Sequence, residues 1–189
     1  MMLMMNENDR PVGENNDDFS TYQGALDIFR KVNCVGEREN CVIGTIVDYS
    51  KSNEVTASMI GLGVAGVAGY VVGDVIARER DQRISRINEF LFALLDFTEA
   101  GVGIMPLSGG GLKINPDKQI PCYDAFVFYY YQELSDISFK NYYGIRKSVK
   151  AITITLLDGK KLHFNANMTE KALPYQVNMM KILAGKYQK

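Results

Sequence analysis

Asp158-Gly159 is the dipeptide that most constrains how this chain can fold. Asp-Gly suits the positive φ values of a tight two-residue hairpin turn. It is flanked by Ala151–Leu157 and Lys161–Asn165, and in the first of these Ile152, Ile154 and Leu156 alternate with Ala151, Thr153 and Thr155. Alternation with period two marks a strand with one buried face. The chain therefore carries a hairpin near its C-terminus, with an apolar face that something else must cover.

Other segments read as short strands. Cys41–Val47 is β-rich through Val42, Ile43, Ile46 and Val47, and ends at the polar stretch Asp48–Glu54. Phe90–Phe97 and Val102–Leu107 read as two strands joined by a turn through Thr98–Gly101, followed by a flexible Ser108–Gly111 loop. Ala125–Tyr131 reads as an aromatic strand, with one face in the core and exposed tyrosines on the other suited to a protein contact. Ile137–Phe139 reads as a short extended piece. Two helices bracket these strands. Ser20–Val32 opens on a capping-box pattern, Ser20 with Gln23, and places Tyr22, Leu26 and Phe29 on one stripe. Leu173–Lys186 has Pro174 in its first turn, Gly185 near its end, and Leu173, Val177, Met180 and Ala184 along one face. Short strands closed by one helix predict an α+β domain with a sheet-based core.

From about Phe90 onward the chain resembles the bacterial pleckstrin-homology-like (PH-like) domains. The resemblance rests on the strand pair within Ala93–Leu107, the extended segment Tyr130–Ile137, the Ile152–Phe164 hairpin and the terminal Leu173–Lys186 helix. It implies a strongly bent antiparallel sheet of about seven strands, plugged at one open end by the C-terminal helix. It also implies binding and not catalysis, and it supplies no residue pattern from which a lipid headgroup site could be carried over. Cys41–Val47 would be the first strand. Residues 1–18 are then an acidic tail expected to be disordered, and 19–189 form one domain with a helical insertion at 57–88.

The insertion contains the least ordinary stretch of the sequence. Ala57–Ala77 is rich in Gly, Ala and Val, and its only charge is Asp74. Gly61, Ala65, Gly69 and Gly73 recur at every fourth position, so on a helix they form a smooth ridge that another helix can approach closely. A helix apolar all round must be buried in protein or in lipid, which leaves two readings. In the first, the module is cytoplasmic and self-associates, or meets a protein partner, through this ridge. In the second, the segment, about twenty residues long, enters a bilayer roughly 30 Å thick while the sheet domain binds anionic headgroups. The two differ in topology: if Cys41–Val47 shares a sheet with the strands after Phe90, a single crossing between them is excluded.

The remaining residues point away from catalysis. Net charge is −1, without the basic excess of a nucleic-acid binder. Cys34, Cys41 and Cys122 lack C-x-x-C spacing and read as small hydrophobes in a reducing compartment; no metal site is expected. Gly61–Gly66 matches G-x-G-x-x-G, but a polar segment precedes it, and Asp81, about twenty residues on, follows no intervening strand. No cofactor is expected. His163, the only histidine, reads as an exposed residue on a sheet surface, on the opposite face from Leu162 and Phe164. Lys140, Arg146, Lys147, Lys150, Lys160 and Lys161 gather around the last hairpin, where they could meet phosphates or an anionic membrane surface if the strands bring them together.

Overall fold

The computed structural model describes residues 17–34, 36, 40–49, 82–142 and 146–187. The Gly-rich stretch, its fourfold ridge and the G-x-G-x-x-G string all lie outside these residues. Among the described residues the main elements are α1 (Tyr22–Lys31), β1 (Cys41–Ile46), β2 (Phe92–Phe97), β3 (Gly101–Gly109), β4 (Gln119–Pro121), β5 (Val127–Tyr130), β6 (Leu134–Tyr142), β7 (Arg146–Leu156), β8 (Lys161–Asn167) and α2 (Gln176–Tyr187). Residues 82–87 are also helical.

The fold is α+β. All eight strands form one open antiparallel sheet, in the order β4-β3-β2-β1-β8-β7-β6, with β5 pairing beside β4 on β3. β1 lies in the middle, because both β2 and β8 hydrogen-bond to it. The β7–β8 hairpin closes at Asp158-Gly159, where Gly159 adopts φ +83°, a left-handed conformation that costs glycine little. Asp158 secures the turn by accepting the Lys160 N–H at 3.0 Å.

Both faces of the β1–β2–β3 region are buried, so these strands read as continuous apolar runs. On the inner face Val42, Leu95, Phe97, Ile104, Phe139, Ile152, Ile154 and Phe164 meet Met180 and Leu183 of α2. On the outer face Ile43, Phe92, Leu94 and Met105 are covered by Leu26, Ile28 and Phe29 of α1.

Several elements differ from the sequence expectation, each for a local reason. The N-cap of α1 is Thr21, whose hydroxyl accepts the Gly24 N–H at 3.1 Å; Ser20 instead donates its backbone N–H to Asp18. Strand β6 runs nine residues, against the three expected at Ile137–Phe139. Its polar positions Ser135, Asp136 and Lys140 hide it, yet Asp136 and Lys140 pair with the long strand β7, and Ser135 sits in a bulge, its hydroxyl bonded to the β7 backbone. The aromatic segment is strand only at Val127–Tyr130, between 3-10 turns at Tyr123–Ala125 and Tyr131–Glu133. Ser108 and Gly109 belong to β3, not to the loop, because Gln119–Pro121 returns to pair with them. Asp17, at the end of the stretch expected to be an acidic tail, is buried, accepts a 2.9 Å hydrogen bond from the Tyr123 hydroxyl and pairs with Lys31.

Candidate functional site

The six basic residues of the C-terminal region do not form one patch. Lys140 and Lys150 lie toward the β6–β7 end of the sheet, where Lys140 is opposite Ala151, Lys150 opposite Asn141, and Arg146 opposite Tyr142. Lys160 and Lys161 lie at the other end of β7, where Lys161 is opposite Thr155. Five residues of extended chain separate Lys150 from Thr155, about 17 Å at strand rise. Nearness in sequence does not bring them together, because a hairpin carries its tip away from its open end.

The β6–β7 end is the more basic of the two. No carboxylate occurs between Ser138 and Ala151. Lys140 and Lys147 are exposed, but Lys150 is 6% exposed and sits on the inner face beside Ile152. Its ammonium donates a 2.6 Å hydrogen bond to Asn141 Oδ1. A charged amine buried this deeply needs such an acceptor. Lys150 is therefore part of the framework, and it is Lys140 and Lys147 that face solvent.

At the hairpin end, His163 lies on the outer face in a row with Thr153 and Ser138. It is half-buried, not the exposed histidine that its position on the strand suggests. Its Nδ1 is 3.2 Å from the Thr153 hydroxyl, and the Tyr49 ring meets its ring edge-on at 4.5 Å between centroids. Burial lowers the imidazole pKa below its ordinary value, and the neighbouring Lys161 lowers it further. A cleft of about 470 Å³ opens over it, lined also by Asp48, Ser85, Asn88, Lys160 and Lys161. Its lysines and carboxylates are mixed, with Lys160 drawn to Asp158 at 3.7 Å, so the cleft has no single sign of charge.

Cys34 and Cys41 are buried and Cys122 is partly so, and none of the three forms a disulfide among the described residues. Among the described residues no group of three His, Cys, Asp or Glu is placed to hold a metal ion, and no helix is long and apolar enough to cross a membrane. No protein-family model, curated protein or solved structure matches the chain.

Proposed function

We propose that the chain is a non-enzymatic PH-like binding module: a bent antiparallel sheet plugged by its C-terminal helix, self-associating through the Gly-rich helix inserted between β1 and β2. Support for the PH-like reading comes from the all-antiparallel sheet and the packing of α2 against both β1 and β6 on its inner face.

One observation carries the self-association reading over the membrane-spanning one. Thr45 of β1 is the direct partner of Phe92 of β2, and the Ile46 N–H donates to the Leu91 carbonyl at 2.8 Å. The segment that contains Gly61, Ala65, Gly69 and Gly73 thus leaves and rejoins the sheet at adjacent backbone positions. A single crossing of a bilayer would leave β1 and β2 on opposite sides and break this pairing. An apolar helix that cannot span must be sheltered by protein, and the small-residue ridge suits a second copy. Alkaline carbonate extraction of membranes from expressing cells is the test. Release into the supernatant is expected; retention in the pellet would overturn the reading.

A second reading, contact with anionic headgroups, is favoured by the exposed Lys140 and Lys147, which lie in a β6–β7 stretch of the chain without carboxylates. It requires that phosphatidylserine vesicles co-sediment the protein and that a K140E/K147E variant stay in solution.

A further inference from the structure

A second cleft, of about 340 Å³, lies between the helical residues 82–87 and the segment that leads into β5. Its two walls differ in chemistry. Arg83 and Arg86 line one wall and, three apart on a helix, project from the same side. Ile87 is fully buried and Ile84 packs on the inner core, so the neighbouring side of this helix is anchored.

The other wall is aromatic. Val127 and Tyr129 point into the inner core, so Phe126 and Phe128 face outward. Phe126 packs edge-on against Phe29 with centroids 6.2 Å apart. Phe128 lies over Gly101, where a Cβ atom would come within 2.9 Å of its ring. Tyr130, 56% exposed, continues the strip with its ring 4.9 Å from that of Phe128. An aromatic strip with a two-residue repeat therefore leads away from a pair of guanidinium groups.

The charges in this cleft are not locked together. Arg86 meets Asp124 at 3.4 Å with both side chains exposed, a weak pairing that another carboxylate can replace. Arg83 is exposed and has no ion pair among the described residues.

We propose that this cleft docks an acidic peptide in extended conformation, with a carboxylate on Arg83 and Arg86 and an apolar side chain on Phe126 and Phe128. Guanidinium groups bind carboxylates through paired, charge-assisted hydrogen bonds, and arginine with aromatic residues commonly anchors protein interfaces. Alternate side chains of an extended peptide repeat every 6.8 Å or so, matching a strip built from alternate residues of a strand. The Asp124 carboxylate in the same wall lowers the net positive charge of the cleft, which disfavours a highly charged polyphosphate or nucleic acid more than a single carboxylate.

The test uses the full-length, isotope-labelled protein and an end-blocked Asp-Phe-Asp-Leu-Asp peptide, with Lys-Phe-Lys-Leu-Lys as control. The acidic peptide is expected to shift the amide signals of Asp124–Phe128 saturably and the basic peptide to leave them unmoved. An R83Q/R86Q variant with an unchanged melting temperature is expected to bind about tenfold more weakly or worse. Absence of a saturable shift, equal binding of the basic peptide, or undiminished binding by the variant would each overturn the proposal. Vesicle binding that is lost in the same variant would assign the arginines to lipid and overturn it as well.

Discussion

The Gln176 side-chain amide closes a hydrogen-bonded ring with the backbone of Ile43: the Ile43 N–H donates to Oε1 at 2.9 Å, and Nε2 donates back to the Ile43 carbonyl at 3.0 Å. Nε2 also reaches the Asn167 carbonyl at 3.1 Å. Strand β8 pairs with β1 only at Thr45 and Ile46, and beyond that pair the sheet parts. Gln176 takes the place of the missing strand residue, which is why a fully buried glutamine begins the C-terminal helix. Buried backbone groups must be paired, and here the partner comes from 133 residues away.

Gln176→Leu keeps the volume but strands two backbone groups of Ile43. Each buried unsatisfied group costs about 1–3 kcal/mol, so a loss of about 2–6 kcal/mol is expected. Urea denaturation should show a lower midpoint with an unchanged slope. A wild-type midpoint in the variant would show that the ring is not a stabilising contact.

Truncation before Leu173 removes Leu173, Gln176, Met180, Leu183 and Ala184, all buried, and uncovers apolar surface on the sheet. Cooperative unfolding should be lost in thermal melts followed by circular dichroism. A truncated chain that melts as sharply as the intact one would contradict the closing role of α2.

His163 predicts a specific pH dependence. Its pKa in the folded chain lies below the ordinary 6.5, through burial first and Lys161 second. Between the folded value and 6.5 the unfolded chain binds a proton that the folded chain does not, so stability falls as pH drops through this window. It is level above 6.5, where neither state is protonated. Because the chain has one histidine, its imidazole C–H signal can be followed by NMR without assignment. A midpoint below 6.5 is expected, and His163→Gln should abolish this part of the pH slope. A midpoint above 6.5 would mean that a carboxylate such as Asp48 or Glu89 governs the ring.

Lys150→Met should be neutral or stabilising, since it replaces a buried ammonium with an apolar chain of similar volume. Asn141→Ala, which removes the acceptor and leaves the charge buried, should destabilise by about 1–3 kcal/mol. Chemical denaturation of the two variants checks the order. If Lys150→Met is the more damaging, the ammonium holds contacts beyond Asn141.

How far the fold was legible depended on how local its causes are. The Asp158-Gly159 hairpin could be read because turn chemistry and alternation reside in neighbouring residues. Both helices were found from their apolar stripes, although the Thr21 cap was missed beside an equally suitable Ser20. Strand β6 was underestimated because Ser135, Asp136 and Lys140 look like loop residues until β7 supplies a partner. The Gln176 ring could not be read, since nothing local distinguishes this glutamine from a solvated one. Whether the basic residues meet depended on the strands, and Lys150 and Lys161, close in sequence, are held apart by the long arm of β7.

The central claim is self-association through the ridge of Gly61, Ala65, Gly69 and Gly73, and the most direct measurement is the mass of the full chain in detergent-free solution by light scattering. The wild type should run as a multiple of 21.2 kDa. Gly69→Leu, whose side chain blocks close backbone approach, should run as a monomer or precipitate as the apolar helix loses its shelter. A wild-type mass of 21.2 kDa, or a Gly69→Leu variant that keeps the wild-type oligomer, would contradict the account.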